Sequence, residues 1–247
     1  MNMPEKNNKD LTHIVVGAGE IGYAVYNILS REYKASIRDK NDDIKGRFDV
    51  LHVAYPPVKN FIKITKGYIK QYKPSLVIVH ATIPVGFTKK IGKNAVHSPV
   101  RGVHPHLEAG IMTFEKYFGG PLANKAGEIF SELGVKVVCY PKAEVTELMK
   151  ILDTTYYGWN IVFAKEAKRL CDKFKVDFNE VYGRANKDYN EAYTKLGMSH
   201  VVRPVLKYME GEIGGHCVIP NTKLLSDWLT NTLKNRNKTY VSKKKKK

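Results

Sequence analysis

The stretch Leu11-Thr12-His13-Ile14-Val15-Val16-Gly17-Ala18-Gly19-Glu20-Ile21-Gly22 decides the fold. Residues 11–16 are apolar and β-branched, as a buried parallel strand requires. Gly17, Gly19 and Gly22 follow at once, and Ile21, Ala24, Val25, Ile28 and Leu29 then recur at helical spacing. The G-x-G-x-x-G pattern therefore lies between a strand and a helix, the context a dinucleotide site needs. Gly17 makes the tight turn, Gly19 lets a pyrophosphate approach the backbone, and Gly22 lets the helix pack on the strand. Glu20 and Ile21 open the helix, whose N-terminus faces the phosphates.

Working outward, residues 34–38 read as a second strand ending at Asp39, roughly twenty residues beyond the glycines, where an acid grips the adenosine ribose. That acid favours NAD over NADP, although Arg38 and Lys40 flank it and could serve a 2′-phosphate. Residues 49–54 read as a strand stopped by Tyr55-Pro56-Pro57, residues 61–72 as a helix, and residues 76–80 as another buried strand leading into Ala81-Thr82-Ile83-Pro84-Val85-Gly86. These loops fall at strand C-termini, where open α/β sheets bind ligands, so Tyr55, Pro56 and Thr82 join the cofactor candidates. Residues 100–103 and 135–138 are further strand candidates, with a helix at 125–133 between them.

From Glu144 the pattern changes. Val145, Leu148, Leu152, Trp159, Val162, Phe163, Ala167 and Leu170 recur near helical spacing without a proline. This predicts a helix of about 28 residues, long enough to serve an interdomain or dimer contact. Lys150 and Thr154 share one of its faces. A second helix is expected at 179–196. The chain then reaches Gly214-Gly215-His216-Cys217-Val218-Ile219-Pro220, and a helix at 224–233 capped by Asn221 or Thr222 is expected to follow. A cysteine on a glycine loop ahead of a helix is a candidate nucleophile, because helix N-terminal amides favour the thiolate. The competing reading is a small buried hydrophobe. The expected architecture is α/β: a Rossmann-type parallel sheet domain at 11–143, a smaller all-helical domain with a long central helix at 144–237, and a basic disordered tail at 238–247.

Composition narrows the partners. Across 247 residues, 41 Lys+Arg against 24 Asp+Glu leave a net charge of +17, which suits phosphorylated metabolites, nucleic acid or anionic membrane. Part of that excess is the run of lysines at 243–247, which reads as a solvated tail rather than a nucleic-acid arm. No apolar run approaches the ~20 residues of a membrane span, and the polar residues 1–10 lack a signal-peptide core. Three cysteines in no metal-type spacing imply thiols in a reducing compartment, hence a cytoplasmic protein. His97, His104 and His106 lie close together, but no acid or cysteine completes a familiar metal spacing, so no metal is expected.

Four blocks together resemble the UDP-glucose/GDP-mannose dehydrogenases, the NAD-dependent nucleotide-sugar 6-dehydrogenases. They are the Gly17/Gly19/Gly22 fingerprint with Asp39, the strand-end Ala81-Thr82-Ile83-Pro84-Val85, the helix motif Thr146-Glu147-Leu148-Met149-Lys150, and Gly214-Gly215-His216-Cys217. The resemblance runs from about residue 11 to about residue 233, with gaps. It implies NAD as cofactor, Cys217 as the catalytic thiol, Lys150 as the group that stabilises the oxyanion, Thr82 as an aid in ordering a catalytic water, and a homodimer built on the long helix. Departures accompany it. Asn221 stands where the family has an aspartate, Thr154 where it has an asparagine, and Pro105-His106 where it has Pro-Glu. The resemblance also implies a shortened member, with the lysines falling where the family's C-terminal nucleotide-binding domain begins. Two alternatives stay open beside oxidation of an alcohol to an acid through a Cys217-bound intermediate. One is a two-electron 3-hydroxyacid-type dehydrogenase, and the other is an NAD-binding protein without catalysis.

Overall fold

The computed structural model describes residues 8–102 and 104–240, so the lysine run lies outside the described residues. Seven strands form one sheet: β1 (Thr12–Val16), β2 (Lys34–Arg38), β3 (Val50–Val53), β4 (Leu76–Val79), β5 (Ala95–His97), β6 (Lys116–Gly119) and β7 (Val137–Tyr140). Their spatial order is β2-β1-β3-β4-β5-β6-β7. The first five are parallel, β6 meets β5 antiparallel, and β7 runs parallel to β6. Because β2 lies on one side of β1 and β3 on the other, the β1/β3 boundary is the topological switch point at which such sheets bind ligands.

Helices cover both faces. Val15, Val50, Ile78, Val96 and Phe118 pack beneath α1 (Glu20–Leu29), α4 (Leu107–Thr113) and α5 (Ala123–Glu132). Ile14, Leu51, Val77 and Ala95 face α2 (Phe61–Tyr72) and α3 (Phe87–Ile91). Strands buried on both sides favour apolar residues at nearly every position, which is why β4 reads as an unbroken apolar run and β1 and β3 are each interrupted by one histidine. The expected strand at 100–103 is instead β5 at Ala95–His97. Pro99 cannot donate to a ladder, and the chain leaves the sheet once the Val100 amide has donated to the His80 carbonyl at 3.3 Å. It then enters α4, whose Glu108 is held by Asn27 and Arg31. That connection packs on α1 rather than crossing the sheet, and β6 enters from the opposite end.

The core under α1 and α5 also encloses a row of polar groups. His13, His52 and His80 are fully buried and hydrogen-bonded in series, His13 Nδ1 to His52 Nε2 at 2.9 Å and His52 Nδ1 to His80 Nε2 at 3.0 Å. His80 Nδ1 meets the Ser98 carbonyl at 3.2 Å. Lys116, also buried, donates to that same carbonyl at 3.1 Å. Phe130 packs on both His52 and His80. Burial pushes the Lys116 ammonium down to about 7 and His13 down to about 4, Asp49 opposing the second shift.

The chain divides into two compact units between Lys150 and Ile151, inside α6 (Ala143–Phe174), a 32-residue helix; the expected boundary stood at 143/144, where that helix begins. The second unit continues through a π-helical stretch at Asn179–Arg184 into α7 (Ala185–Lys195), then α8 (Val218–Thr222) and α9 (Trp228–Asn237). Its cores are small: Ala164, Cys171, Phe178 and Tyr182 in one, Val162, Val218 and Leu233 in the other. The C-terminal helix begins later than expected. Asp227 caps it, accepting from the Leu229 amide at 2.8 Å and closing a capping box with Thr230, while Asn221 and Thr222 lie within α8. Lys238–Tyr240, placed in the tail by the sequence, form a 3-10 turn. The Tyr240 hydroxyl donates to Glu166 at 2.6 Å.

Candidate active site

In the first unit, the β1/β3 switch point is shaped by backbone. Gly17 has φ +104° and its amide donates to the Arg38 carbonyl at 3.0 Å. A Cβ on Gly17 would stand 2.9 Å from the Tyr55 nitrogen, and one on Gly22 would stand 1.7 Å from the Gly17 oxygen. A Cβ on Gly19 would meet nothing within 4 Å. Gly17 and Gly22 thus serve packing, and Gly19 faces open space over the start of α1. No side chain caps that helix, which leaves its first amides directed outward with the positive end of the helix dipole. The turn could hold the pyrophosphate of a dinucleotide, with Glu20 and Ile21 beside it. Glu20 pairs with His104.

Asp39 is exposed at the end of β2, where its amide donates to Asp42 at 2.7 Å. Arg38 turns the other way. Its guanidinium donates to the Tyr72 hydroxyl at 2.9 Å and the Asp39 carbonyl at 3.2 Å, lies over the Tyr68 ring, and is buried. Its guanidinium is thereby committed within the protein, which leaves Lys40 as the exposed cation of that pair. Tyr55 is half-buried against Phe61 and Tyr68, its hydroxyl 2.6 Å from that of Thr65, and Pro56 is exposed beside it.

Thr82 is half-buried on the loop after β4. The first turns of α6 hold that loop. Glu147 is fully buried, and its carboxylate accepts from the Gly86 amide at 2.6 Å, the Thr88 amide at 2.9 Å and the Thr88 hydroxyl at 2.6 Å. His97 reaches the Ala81 carbonyl with Nε2 at 3.1 Å and the Thr146 hydroxyl with Nδ1 at 2.9 Å. Burial first, then the charges of Lys116 and Lys150, push His97 down to about 3. Lys150 is half-buried one turn beyond Thr146 on the same helix. Glu147 and His97 are site features that sequence reasoning left without roles. Glu147 was legible as part of a motif, but nothing local marks it as a cap for a helix sixty residues earlier.

In the second unit, Cys217 is half-buried at the start of α8. Gly214 and Gly215 precede it in open space, Gly215 with φ +82°. The helix after the thiol is a single turn of five residues, so it offers less dipole than the longer helix expected. Asn221 and Thr154 are brought together: the Asn221 Nδ2 donates to Thr154 Oγ1 at 3.2 Å, and both are buried. Thr154 Oγ1 in turn donates to the Ile151 carbonyl at 3.0 Å. A cavity of about 600 Å³ lies alongside, lined by Tyr157, Lys165, Tyr208, Gly214, Gly215 and Val218 among others. Lys165 donates to the Gly211 carbonyl at 2.7 Å and also to that of Met209.

The three clustered histidines separate: His97 is buried in the sheet, while His104 and His106 are exposed beyond it. Among the described residues, no group of three His, Cys, Asp or Glu side chains could hold a metal. No described helix is long and apolar enough to cross a membrane.

No family model matches the chain. The UDP-N-acetyl-D-mannosamine dehydrogenase of Methanocaldococcus jannaschii is 26% identical over 168 residues, covering 64% of this chain and 36% of that protein. The chain spans 33% to 55% of the length of the curated relatives it matches. In fold it is similar to the UDP-D-ManNAc dehydrogenase from Pyrococcus horikoshii, with a TM-score of 0.70 at 17% identity over 93% of this chain and 69% of that one. It is also similar to Mycobacterium tuberculosis 3-hydroxyisobutyrate dehydrogenase, with a TM-score of 0.66 at 13% identity over 92% of both. In sequence the chain is similar to nucleotide-sugar dehydrogenases, and its fold is the Rossmann-type fold of the structures it resembles.

Proposed function

We propose that the chain is an NAD-dependent oxidoreductase acting on the alcohol of a nucleotide sugar. The observation that carries this is the glycine cradle at the β1/β3 switch point, open at Gly19 and closed at Gly17 and Gly22, in a chain whose curated relatives are nucleotide-sugar dehydrogenases. Gly17, Gly19, Glu20, Ile21 and Gly22 would hold the pyrophosphate, Asp39 the ribose, and Tyr55, Pro56 and Thr82 the neighbouring edge. NAD held there supplies a hydride acceptor. The chain's own groups do the rest. Lys150 stabilises the alkoxide formed as the substrate hydroxyl loses its proton. The Cys217 thiolate adds to the resulting aldehyde. Loss of a second hydride, to a second NAD exchanged for the first NADH, would leave a thioester on sulfur, and a water ordered by Thr82 would release the acid and restore the thiol.

A second reading is favoured by the Asn221–Thr154 bond. Neither group is a general base, a role worth on the order of 10²–10⁴ in rate, so a two-electron oxidation without thioester hydrolysis fits this pair better. NADH formation measured against a panel of nucleotide sugars and hydroxyacids tests the function. Cys217→Ser separates the readings, because the four-electron route alone needs the thiol. Absence of NADH with every substrate would leave the non-catalytic alternative.

We also propose a homodimer. Tyr156, Phe163 and Phe174 are each more than 60% exposed along α6, and contiguous exposed apolar surface marks an interface. Light scattering should give at least twice the chain mass at micromolar concentration; a monomer overturns this.

A further inference from the structure

Thr146, Glu147 and Lys150 stand at positions i, i+1 and i+4 of α6 and so lie along one side of its first turns. The loop at 81–86 carries Thr82 and is tied to this side at both ends. At its first residue, the Ala81 carbonyl accepts from His97 Nε2. With the ring neutral, His97 Nδ1 accepts in turn from the Thr146 hydroxyl. At its last residue, the Gly86 amide donates to Glu147, which also takes both donors of Thr88. Ile83, between the two ties, is fully buried in the core beneath α2 and α3.

A carboxylate with no solvent exposure is costly unless its oxygens are satisfied. Glu147 is satisfied by three donors, all on the segment that closes the Thr82 loop. Gly86 has φ +85° and caps α3 with no side chain of its own. Glu147 therefore supplies from a distant helix the cap that the local sequence lacks. His97 and Thr146 are likewise fully buried, so water cannot substitute for either partner.

We propose that Glu147 and the Thr146–His97 pair are positioning residues that clamp both ends of the Thr82 loop to the helix turn carrying Lys150, so that hydroxyl and ammonium keep one fixed spacing. This rests on the reading of Thr82 and Lys150 as groups at the reacting centre. Neither Glu147 nor His97 touches substrate in it. They act through the loop, where a displacement of 1 Å can cost about 10²-fold in rate.

Two measurements test the clamp separately from the proposed activity. In amide hydrogen exchange followed by NMR, Glu147→Gln places an amide nitrogen against donor groups. Gly86 and Thr88 should then exchange about tenfold faster or more, while the amides of β1 keep their protection. Unchanged exchange at Gly86 and Thr88 overturns the clamp. In steady-state kinetics on the substrate found for the wild type, Glu147→Gln should lower kcat by about 10²-fold, a larger loss than that in NAD affinity, to which Thr82 adds only one edge contact. Combined with Thr82→Ala, it should cost no more than the larger single loss, because both act on one group. Losses that multiply overturn the positioning role. Thr146→Ser should behave as wild type and Thr146→Val should lower kcat more than NAD affinity; equal behaviour of the two removes the His97 arm, whatever the folding of the Glu147 variant. A wild-type chain with no turnover overturns the proposed function, and the exchange measurement still decides the clamp.

Discussion

The glycine turn after β1 and the glycine loop before Cys217 look alike in sequence and differ in what surrounds them. Gly17 and Gly22 are enclosed, with backbone where a Cβ would go, whereas Gly214 and Gly215 have nothing within 4 Å. The first turn is therefore dictated by packing and would keep its shape without any ligand. The second has room for side chains at both glycines and lies beside a cavity and two small cores. A glycine pattern alone does not distinguish these cases; the neighbours of each missing Cβ do. Substitution should break the symmetry. Gly22→Ala forces a methyl group to 1.7 Å from the Gly17 oxygen. It should destabilise the first unit by about 3 kcal/mol and abolish NAD binding in calorimetry. Gly214→Ala has room, and its stability should stay within about 0.5 kcal/mol of wild type. Equal losses from the two changes would erase the distinction.

The units should also differ in their response to pH, because the buried histidine row and Lys116 belong to the first. Lys116 is depressed from 10.5 to about 7 in the folded protein. Between those values the unfolded chain binds a proton that the folded chain does not, so stability falls as pH drops from 10.5 to about 7 and then levels for this group. His13, depressed from 6.5 to about 4, adds a further loss as pH falls through that lower window. His52 and His80 shift in the same direction through burial. Thermal unfolding of the first unit should weaken steadily from alkaline to acid pH. Lys116→Met should remove the upper part of that slope, by an amount of order 2 kcal/mol between pH 10 and 7, and leave the acid part in place. An unchanged upper slope would mean that Lys116 keeps its proton when buried.

Much of the first unit was legible because its strands obey one rule. β1, β4 and α2 follow from apolar runs and helical spacing, and the switch-point turn follows from three glycines in that context. What escaped was non-local. Pro99 moved the fifth strand forward by several residues, α4 reversed β6, and Asp227 displaced the expected cap at Asn221 or Thr222. The histidine row escaped for another reason. His13 and His52 each interrupt an apolar run by one residue, and only the register of β1 against β3 aligns them diagonally on one face. At the Cys217 end, the sequence named Asn221 and Thr154 as departures. The structure joins the two by a hydrogen bond that neither position announces on its own.

A smaller effect separates the two cations beside Asp39. With Arg38 committed to Tyr72 and the Asp39 carbonyl, only Lys40 is left exposed to offset the repulsion between the Asp39 carboxylate and a 2′-phosphate. NAD should bind at least about tenfold more tightly than NADP, or ~1.4 kcal/mol. Asp39→Ala should narrow that gap, while Lys40→Ala should widen it. Calorimetric titration of both cofactors against the three proteins measures this. Equal or tighter binding of NADP by the wild type would show that Lys40 alone outweighs the acid.

The smallest effect is expected at Cys217, and it bears most directly on the chemistry of the second unit. Cys171 is 3% exposed on α6. Cys139 donates to the Ala123 carbonyl at 3.3 Å, and burial with Glu128 nearby pushes its thiol upward. Cys217 is half-buried at the head of α8, in a loop without packing constraints on Gly214 and Gly215. With Cys171 buried and the Cys139 thiol pushed upward, Cys217 should be the most reactive of the three. Because α8 is one turn long, its dipole adds little, so the advantage over Cys139 at neutral pH should be modest, about threefold. A nucleophile poised for thioester chemistry should show more: a rate that levels off below pH 8 as the thiolate saturates, and a change in that rate when NAD is added. A thiol that merely fills a turn would show a rate still rising with pH at 8.5, unaffected by NAD. Mass-spectrometric alkylation of each cysteine across that pH range reads both features at once. A levelled, NAD-sensitive Cys217 supports the four-electron route despite the uncharged Asn221–Thr154 pair. A Cys217 no faster than Cys139 removes the covalent step and leaves two-electron oxidation as the chemistry that pair can accommodate.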